Sequence, residues 1–169
     1  MLNEIGLIET SIGDIDITAS ETFDNSSSQN TTEIESTARV IAGNNLNVNT
    51  ADLSGNGLLQ AGVELDLSVT DFSNESDLRA GQDLIIRTAD FLNDVGGSLT
   101  SDGNLTFDLT GDFTNNGLLS TLADININAN TLTNNGELIV GRDGLFTICL
   151  LYTSPSPRDQ RGSRMPSSA

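Results

Sequence analysis

The sequence predicts an all-β protein with the fold of a parallel β-helix, a solenoid with about 20 residues per coil and roughly six coils. Two observations predict this fold. Short runs with an apolar residue at every second position, which is the side-chain alternation of a β-strand, recur at intervals of 19 to 21 residues. Each run is followed, in constant order, by two further apolar positions with a turn signal between them. No segment has the 3.6-residue apolar periodicity of a helix.

The alternating runs form the first predicted strand of each coil. The apolar residues of a run face inward, and the residue between them faces outward. Successive runs start 19, 19, 21 and 20 residues apart, and Leu145 follows after another 20. The five runs are Leu46-Asn47-Val48, Leu65-Asp66-Leu67, Leu84-Ile85-Ile86, Leu105-Thr106-Phe107 and Ile125-Asn126-Ile127.

Two more apolar positions complete each coil, with glycine or asparagine marking the turn between them. Small residues such as Ala42-Gly43 and Ala61-Gly62 form the corner before each run. The second apolar positions are Leu53, Phe72, Phe91, Phe113 and Leu132, and the third positions are Leu59, Leu78, Leu99, Leu119 and Leu138.

A repeat of this length cannot bury its own apolar residues, so neighbouring copies must stack on one another. An antiparallel sandwich also contains short, regularly spaced strands. A sandwich does not require the same class of residue at the same phase of a 20-residue cycle. A parallel β-helix does, because each residue stacks on its equivalent one coil away, at about 4.8 Å. Six coils form a rod roughly 30 Å long.

The chain divides into a predicted solenoid, residues 1–146, and a predicted disordered tail, residues 147–169. Regular repeats begin at about residue 42. Residues 15–41 form a looser coil, with an insertion at 25–32 that we expect to protrude as a loop. The tail holds all three prolines and has no apolar periodicity. It resembles translated sequencing-adapter sequence at the end of a truncated gene, and we expect the folded part to end near Thr147 to Leu150.

Composition excludes several classes of function. With no His and one Cys, Cys149, the chain cannot assemble a Ser-His-Asp triad, a Cys-His dyad or an ordinary zinc site. Its net charge is −17 and it has no Lys, so we expect neither nucleic acid nor an anionic membrane as a partner. No apolar stretch approaches the roughly 20 residues of a membrane span. The first ten residues lack the features of a secretory signal, so we expect an internal piece of a longer protein.

Three successive segments resemble the filamentous haemagglutinin repeat of large bacterial exoproteins: AGNNLNVNTADLSGNGLL, AGVELDLSVTDFSNESDL and AGQDLIIRTADFLNDVGGSL. The resemblance implies a right-handed parallel β-helix. It also implies secretion by the two-partner route through an outer-membrane transporter, and a place outside or on the outer surface of a Gram-negative cell. The family's secretion domain carries Asn-Pro-Asn motifs, but no proline precedes Pro155 here. We therefore expect a piece of the shaft without the export domain.

Acidic residues are the main candidates for a binding site. Stacking places Glu64 beside Asp83 on neighbouring coils, and Asp66, Asp71 and Asp90 add to the same acidic surface. Because Ca²⁺ takes several oxygen ligands, Glu64, Asp66 and Asp83 are weak candidate calcium ligands. The simpler interpretation is a set of solvated carboxylates that maintain solubility and prevent lateral aggregation. We predict no cofactor. One acid or amide precedes each alternating run, namely Asp14, Asn45, Glu64, Asp83, Asn104 and Asp124.

The Phe and Asn residues have structural interpretations as well as functional ones. Phe72, Phe91 and Phe113 share the phase of leucines in other coils, which favours an aromatic core over a sugar-binding platform. Asn suits corners and can form amide ladders between stacked strands, which favours a structural role over ligand coordination. The asparagines include Asn44, Asn45, Asn47, Asn49, Asn126, Asn128 and Asn130.

An enzyme is the rival class, because polysaccharide lyases and hydrolases also use parallel β-helices. Their sites need loops that build a cleft and a cation near the acids, whereas these coils are nearly uniform. Arg87 lies near Asp66 or Thr106 of neighbouring coils, where a surface ion pair is the simpler interpretation. We predict no catalytic residue.

The sequence therefore predicts a structural shaft or adhesive segment of a secreted surface exoprotein. Its partner would be a glycan or protein receptor on a host or neighbouring cell. The alternative is the stalk of a contact-dependent inhibition toxin.

Overall fold

The structure is a computed structural model and describes residues 6–26 and 38–150. These residues contain seventeen β-strands and no helix. In chain order the strands are β1 Leu7–Glu9, β2 Ile15–Asp24, β3 Arg39–Ala42, β4 Leu46–Ser54, β5 Leu58–Ala61, β6 Leu65–Asn74, β7 Asp77–Ala80, β8 Leu84–Thr88, β9 Phe91–Asn93, β10 Ser98–Ser101, β11 Leu105–Leu109, β12 Asp112–Asn115, β13 Leu118–Thr121, β14 Ile125–Ala129, β15 Thr131–Asn134, β16 Glu137–Val140 and β17 Phe146–Leu150.

The strands form three faces, and each pairs in parallel with its equivalents one coil away. The first face is a seven-stranded sheet of β1, β3, β5, β7, β10, β13 and β16. The second face holds the strands that begin with the alternating runs, from β2 to β17, and the third holds β9, β12 and β15. These two faces share one ten-stranded sheet, because β6 pairs with β8 at its beginning and with β9 at its end.

The parallel β-helix of about six coils predicted from the repeat is confirmed. Paired residues such as Leu65 and Leu84 are separated by one repeat, and β16 and β17 begin a seventh coil. The right-handed winding implied by the resemblance stays a prediction, in agreement with the general preference of parallel crossovers. Pairing of β17 with β14 continues through Leu150, four residues past the predicted boundary at 146. The tail from residue 151 and most of the predicted loop, 27–32, lie outside the described residues.

The core is a stack of single side-chain columns. The alternating runs contribute Leu46, Leu65, Leu84, Leu105 and Ile125, all completely buried. Phe91 packs against three other rings, with centroid distances of 5.7 Å to Phe72, 5.1 Å to Phe107 and 5.4 Å to Phe113. The predicted core role of the Phe column is therefore confirmed.

Small corner residues let consecutive coils approach closely. A Cβ atom added to Gly62 would collide with the backbone carbonyl oxygen of Gly43, and one added to Gly81 would collide with that of Gly62. Ala42 and Ala61, beside these glycines, are buried. Because the coils must stack at the strand spacing of about 4.8 Å, this corner tolerates no larger side chain.

Candidate functional site

The corner before each strand of the second face carries one side-chain acceptor per coil, and we call this set the corner column. Its members are Asp14, Asn45, Glu64, Asp83, Asn104 and Asp124. An oxygen of Asp83 accepts a hydrogen bond from the Asn104 backbone N–H at 2.7 Å, and Asp124 accepts one from Leu145 at 2.8 Å. The same contact joins Asp14 to Asn45 at 3.0 Å.

The corner column therefore has a structural role that the sequence analysis did not anticipate. The chain bends at the corner, and a backbone N–H there needs an acceptor that a neighbouring strand cannot supply. The side chain of the preceding coil supplies it. Solvated carboxylates were the expected state, but Asp83, Asn104 and Asp124 are all only partly exposed and bonded to the next coil.

The three candidate calcium ligands occupy two different places on this surface. Glu64 and Asp83 do lie at equivalent positions of neighbouring coils, since Leu65 pairs with Leu84. Asp66 is two residues further along β6, opposite Ile85, and its carboxylate contacts Arg87. Within residues 6–26 and 38–150, no group of three or more acidic, Cys or His side chains is arranged to hold a metal ion. Calcium binding by Glu64, Asp66 and Asp83 stays a prediction.

The ion pair expected between Arg87 and Asp66 is present. The Arg87 guanidinium donates a hydrogen bond to an Asp66 carboxylate oxygen on the adjacent coil. This bond raises the pKa of Arg87, with a further contribution from the negative charge of Asp108. The Arg87 side chain is about half exposed, 46 %, so the pair contributes little to stability.

A second acidic column lies on the third face, and we call it the aspartate column. It consists of Asp52, Asp71, Asp90 and Asp112 in four consecutive coils. Asp52 is paired with Asp71 on the next coil. Asp71, Asp90 and Asp112 each directly precede a phenylalanine, and these phenylalanines are paired from coil to coil. The four aspartates therefore stack in one column. All four are exposed. Their Cα atoms repeat at the strand spacing of about 4.8 Å, which brings like charges close together.

An open groove of about 690 Å³ runs along the aspartate column. All four aspartates line it, and Glu75 adds a fifth carboxylate. The described residues around the groove include no cationic side chain. The groove can therefore attract cationic groups and repels anions.

Only half of the aspartate column was predicted from the sequence. Asp71 and Asp90 were considered, whereas Asp52 and Asp112 were not. A usable signal was present, because each of the four aspartates directly precedes the second apolar position of its coil.

The interior contains a continuous amide ladder, formed by asparagines other than those singled out in the sequence. We call Asn74, Asn93, Asn115 and Asn134 the asparagine ladder. Each side-chain N–H₂ donates to the side-chain oxygen of the next member, over 2.9, 2.8 and 2.7 Å. The first three members are buried. The prediction of amide ladders is confirmed, but the residues chosen for it lie mostly on the outer surface, where Asn47 donates to Asp16 and Asn128 to Asp108.

Comparison with known protein families agrees with the repeated coils of the structure. A family model described as haemagglutinin repeat matches residues 10–117 and 100–145. No curated protein and no solved structure matches the chain significantly. Within the described part of the chain, no helix has the length and hydropathy needed to cross a membrane.

Together the two matches span residues 10–145, which include strands β2 to β16. Haemagglutinin repeats are structural, adhesin-type modules rather than enzyme modules, and they form shafts of two-partner secretion proteins at the cell surface or outside the cell. The chain belongs to the haemagglutinin repeat family.

Proposed function

We propose that this chain is a spacer, a stiff shaft segment that holds a distal part of a larger surface exoprotein away from the cell. The observation that carries this proposal is the unbroken connection between coils. Backbone pairing joins every coil to the next on each face, from β1 to β16 and from β2 to β17. The core columns continue through these coils, and the asparagine ladder joins four of them, from Asn74 to Asn134.

The outer surface supports a spacer role as well. Several outward side chains are hydrogen-bonded to the neighbouring coil, such as Asn47 to Asp16 and Asn128 to Asp108. The coils from 46 to 140 differ little in length, so no long loop builds a cleft. Specific recognition generally depends on irregular loops, which this part of the chain lacks.

An adhesive role for the segment itself is the second candidate, and the groove along the aspartate column favours it. A receptor on a host or neighbouring cell, whether glycan or protein, would have to present cationic groups to this surface. The calcium candidates at Glu64, Asp66 and Asp83 belong to the same hypothesis, because a divalent cation could link such carboxylates to an anionic receptor.

A binding measurement distinguishes the two roles. The full chain is applied to a glycan array and to intact cells, with and without millimolar Ca²⁺, beside an Asp71→Asn/Asp90→Asn variant. A spacer gives no binding above the background in any condition. Binding that disappears in the variant supports adhesion through the aspartate column, and binding that the variant retains places a receptor site elsewhere on the rod.

The parent protein would be exported through an outer-membrane transporter and carry either an adhesive tip or a toxin domain. The same shaft serves an adhesin or the stalk of a contact-dependent inhibition toxin. Sequencing the gene on both sides of this segment separates the two, because the distal domain differs between them.

A further inference from the structure

Three Asn-Gly dipeptides lie at the turn from the third face to the first face of the next coil: Asn56-Gly57, Asn116-Gly117 and Asn135-Gly136. Asn-Gly is the dipeptide most prone to spontaneous deamidation, because glycine leaves its own backbone nitrogen sterically open to attack the preceding side chain. The turns share this chemistry but differ in the hydrogen bonds that hold the attacking nitrogen.

The attacking nitrogen is occupied in two of the three turns. The Gly57 N–H donates to the carbonyl oxygen of Asn25 at 2.8 Å, and the Gly136 N–H donates to that of Asn115 at 2.9 Å. A nitrogen that donates such a bond must break it before it can lose its proton and attack. In both turns, the hydrogen bond to the preceding coil therefore slows attack by the glycine nitrogen on the asparagine side chain.

Asn116-Gly117 lacks this protection. Among the described residues, the Gly117 N–H donates no hydrogen bond, although the Gly117 carbonyl oxygen accepts one from Glu137. The side-chain oxygen of Asn116 also accepts a hydrogen bond from Asn135 Nδ2 at 3.0 Å. That donor polarises the Cγ carbonyl and is in place to stabilise the negative charge that develops on the oxygen during attack.

We propose that Asn116 is a site of spontaneous deamidation and isoaspartate formation, and that it reacts faster than Asn56 and Asn135. The Gly117 nitrogen loses its proton to solvent and attacks Cγ of Asn116. The new C–N bond closes a succinimide, and the Cγ–Nδ2 bond breaks as the departing nitrogen takes a proton from solvent and leaves as ammonia. Water then opens either imide C–N bond, giving aspartate or isoaspartate, and the acid proton passes to solvent.

Side-chain exposure alone gives the opposite order. Asn56 and Asn135 are exposed, whereas Asn116 is only partly exposed. A hydrogen bond worth about 1 kcal/mol corresponds to about fivefold in rate, so the free Gly117 nitrogen gives Asn116 roughly that advantage. The aspartate product keeps the bond from Asn135, while isoaspartate adds a methylene to the main chain beside the asparagine ladder.

The test is incubation of the full chain at mildly alkaline pH in ¹⁸O-labelled water, followed by peptide mapping that quantifies aspartate and isoaspartate at each site. Asn116 should convert about fivefold faster than Asn56 and Asn135 in the folded protein, and the three rates should converge in concentrated urea. An Asn135→Ala variant should slow conversion at Asn116, and an Asn116→Gln variant should be inert there. The proposal is overturned if Asn56 or Asn135 reacts as fast as Asn116, if Asn116 persists unchanged while the urea-unfolded chain deamidates, or if the ranking survives in urea.

Discussion

Asn93 is completely buried in a core of leucine and phenylalanine, yet both polar atoms of its side chain have partners. Its oxygen accepts from Asn74, and its nitrogen donates to Asn115 at 2.8 Å and, less closely, to the backbone oxygens of Gly97 and Leu118. A buried amide is stabilising only when it is satisfied in this way, because an unpaired buried donor or acceptor carries a large desolvation cost.

Replacing Asn93 with Leu should therefore destabilise the protein, although the two side chains are similar in size. The substitution removes an acceptor from Asn74 and a donor from Asn115, for a loss of about 1–3 kcal/mol in the free energy of unfolding. Urea titration followed by circular dichroism measures it. Asn49→Leu is the matched control, because Asn49 is exposed on β4 and lies outside the ladder, and its effect should stay within about 0.5 kcal/mol. Equal losses in the two variants would show that the ladder is not a source of stability.

The corner glycines give a second prediction at the scale of the residue. Gly62→Ala should shift the unfolding midpoint down by several °C, because the added Cβ meets the Gly43 carbonyl oxygen and the coils must separate to admit it. Gly96→Ala is the control, since its nearest neighbour, the Glu75 oxygen, lies 3.7 Å from the added Cβ. Thermal unfolding of both variants decides the matter, and an unchanged midpoint for Gly62→Ala contradicts close packing at the corner.

At the scale of the residue, the buried positions of apolar side chains could be predicted from the sequence, whereas those of polar side chains could not. The phase of Phe91 identified it as core, because apolar side chains at a constant phase have only one interior to occupy. Asn93 lies two residues later at an equally constant phase, but asparagine is usually exposed, so its polarity argued against burial. Burial becomes favourable only when one amide is hydrogen-bonded to the next, and the bonding partner lies about 20 residues away in the sequence.

At the scale of the element, the aspartate column shows that stacking similar repeats places like charges beside one another, which is destabilising. A parallel in-register sheet repeats any charge at every coil, so four carboxylates face one another without intervening cations. Three of them are moderated by donors from neighbouring coils, and the first is Asp52, which accepts from the Thr22 hydroxyl at 3.2 Å. Asp90 accepts from the Asp112 backbone N–H at 2.6 Å, and Asp112 accepts from the Thr131 hydroxyl at 2.8 Å. Within the described region, no donor bonds to the Asp71 carboxylate, and Asp71 has an aspartate on either side.

Neutralising Asp71 should therefore stabilise the protein. Asp71→Asn removes two like-charge contacts, for an expected gain of about 0.2–1 kcal/mol that diminishes as salt screens the column. Unfolding midpoints at low and at high ionic strength measure the gain. In contrast, Asp66→Asn on the second face removes the partner of Arg87 and should not stabilise. A gain at Asp71 that persists unchanged in high salt would point to packing rather than charge.

The positions of the strands were largely predictable from the sequence. Whether a strand continues from the second face to the third or breaks in two was not predictable. The alternating runs marked the start of β4, β6, β8, β11 and β14 because inward and outward side chains differ in polarity there. The sequence did not show that β4 and β6 continue around the bend between two faces, whereas the later coils break into two strands. The bend depends on backbone geometry shared with the adjacent coil, which the residue pattern of one coil does not encode.

For the molecule as a whole, the structural unit is one coil of about 20 residues, and the stability of the solenoid depends on contacts between neighbouring coils. Each coil bonds only to the coils before and after it, so its removal should leave the others able to stack. Deleting residues 84–104 joins Asp83 to Leu105 and brings Leu65 opposite Leu105 in the original phase.

We expect this deletion to retain β-sheet circular dichroism and cooperative unfolding, with the free energy of unfolding lower by about one sixth. Deleting residues 84–93 removes half a coil and is the control. It puts outward residues into the core columns and should abolish the transition. If both deletions behave alike, the molecule is not modular at the length of its repeat.

The number of coils and the core columns could be predicted from the sequence, because the regular spacing of apolar residues along the whole chain is visible in a single sequence. The corner column is the counterexample. Its residues were located correctly, but their bonds to the next coil depend on the distance between coils, which the sequence leaves open.

The orientation of the backbone hydrogen bonds has a mechanical consequence. They point along the axis of the rod, and the chain leaves each coil at a corner, so tension on the chain ends opens the bonds of the outermost coil one after another while inner coils carry no load. Each detached coil frees about 20 residues, roughly 66 Å of contour. Under pulling, such a tether lengthens in equal increments and gives way only at its ends.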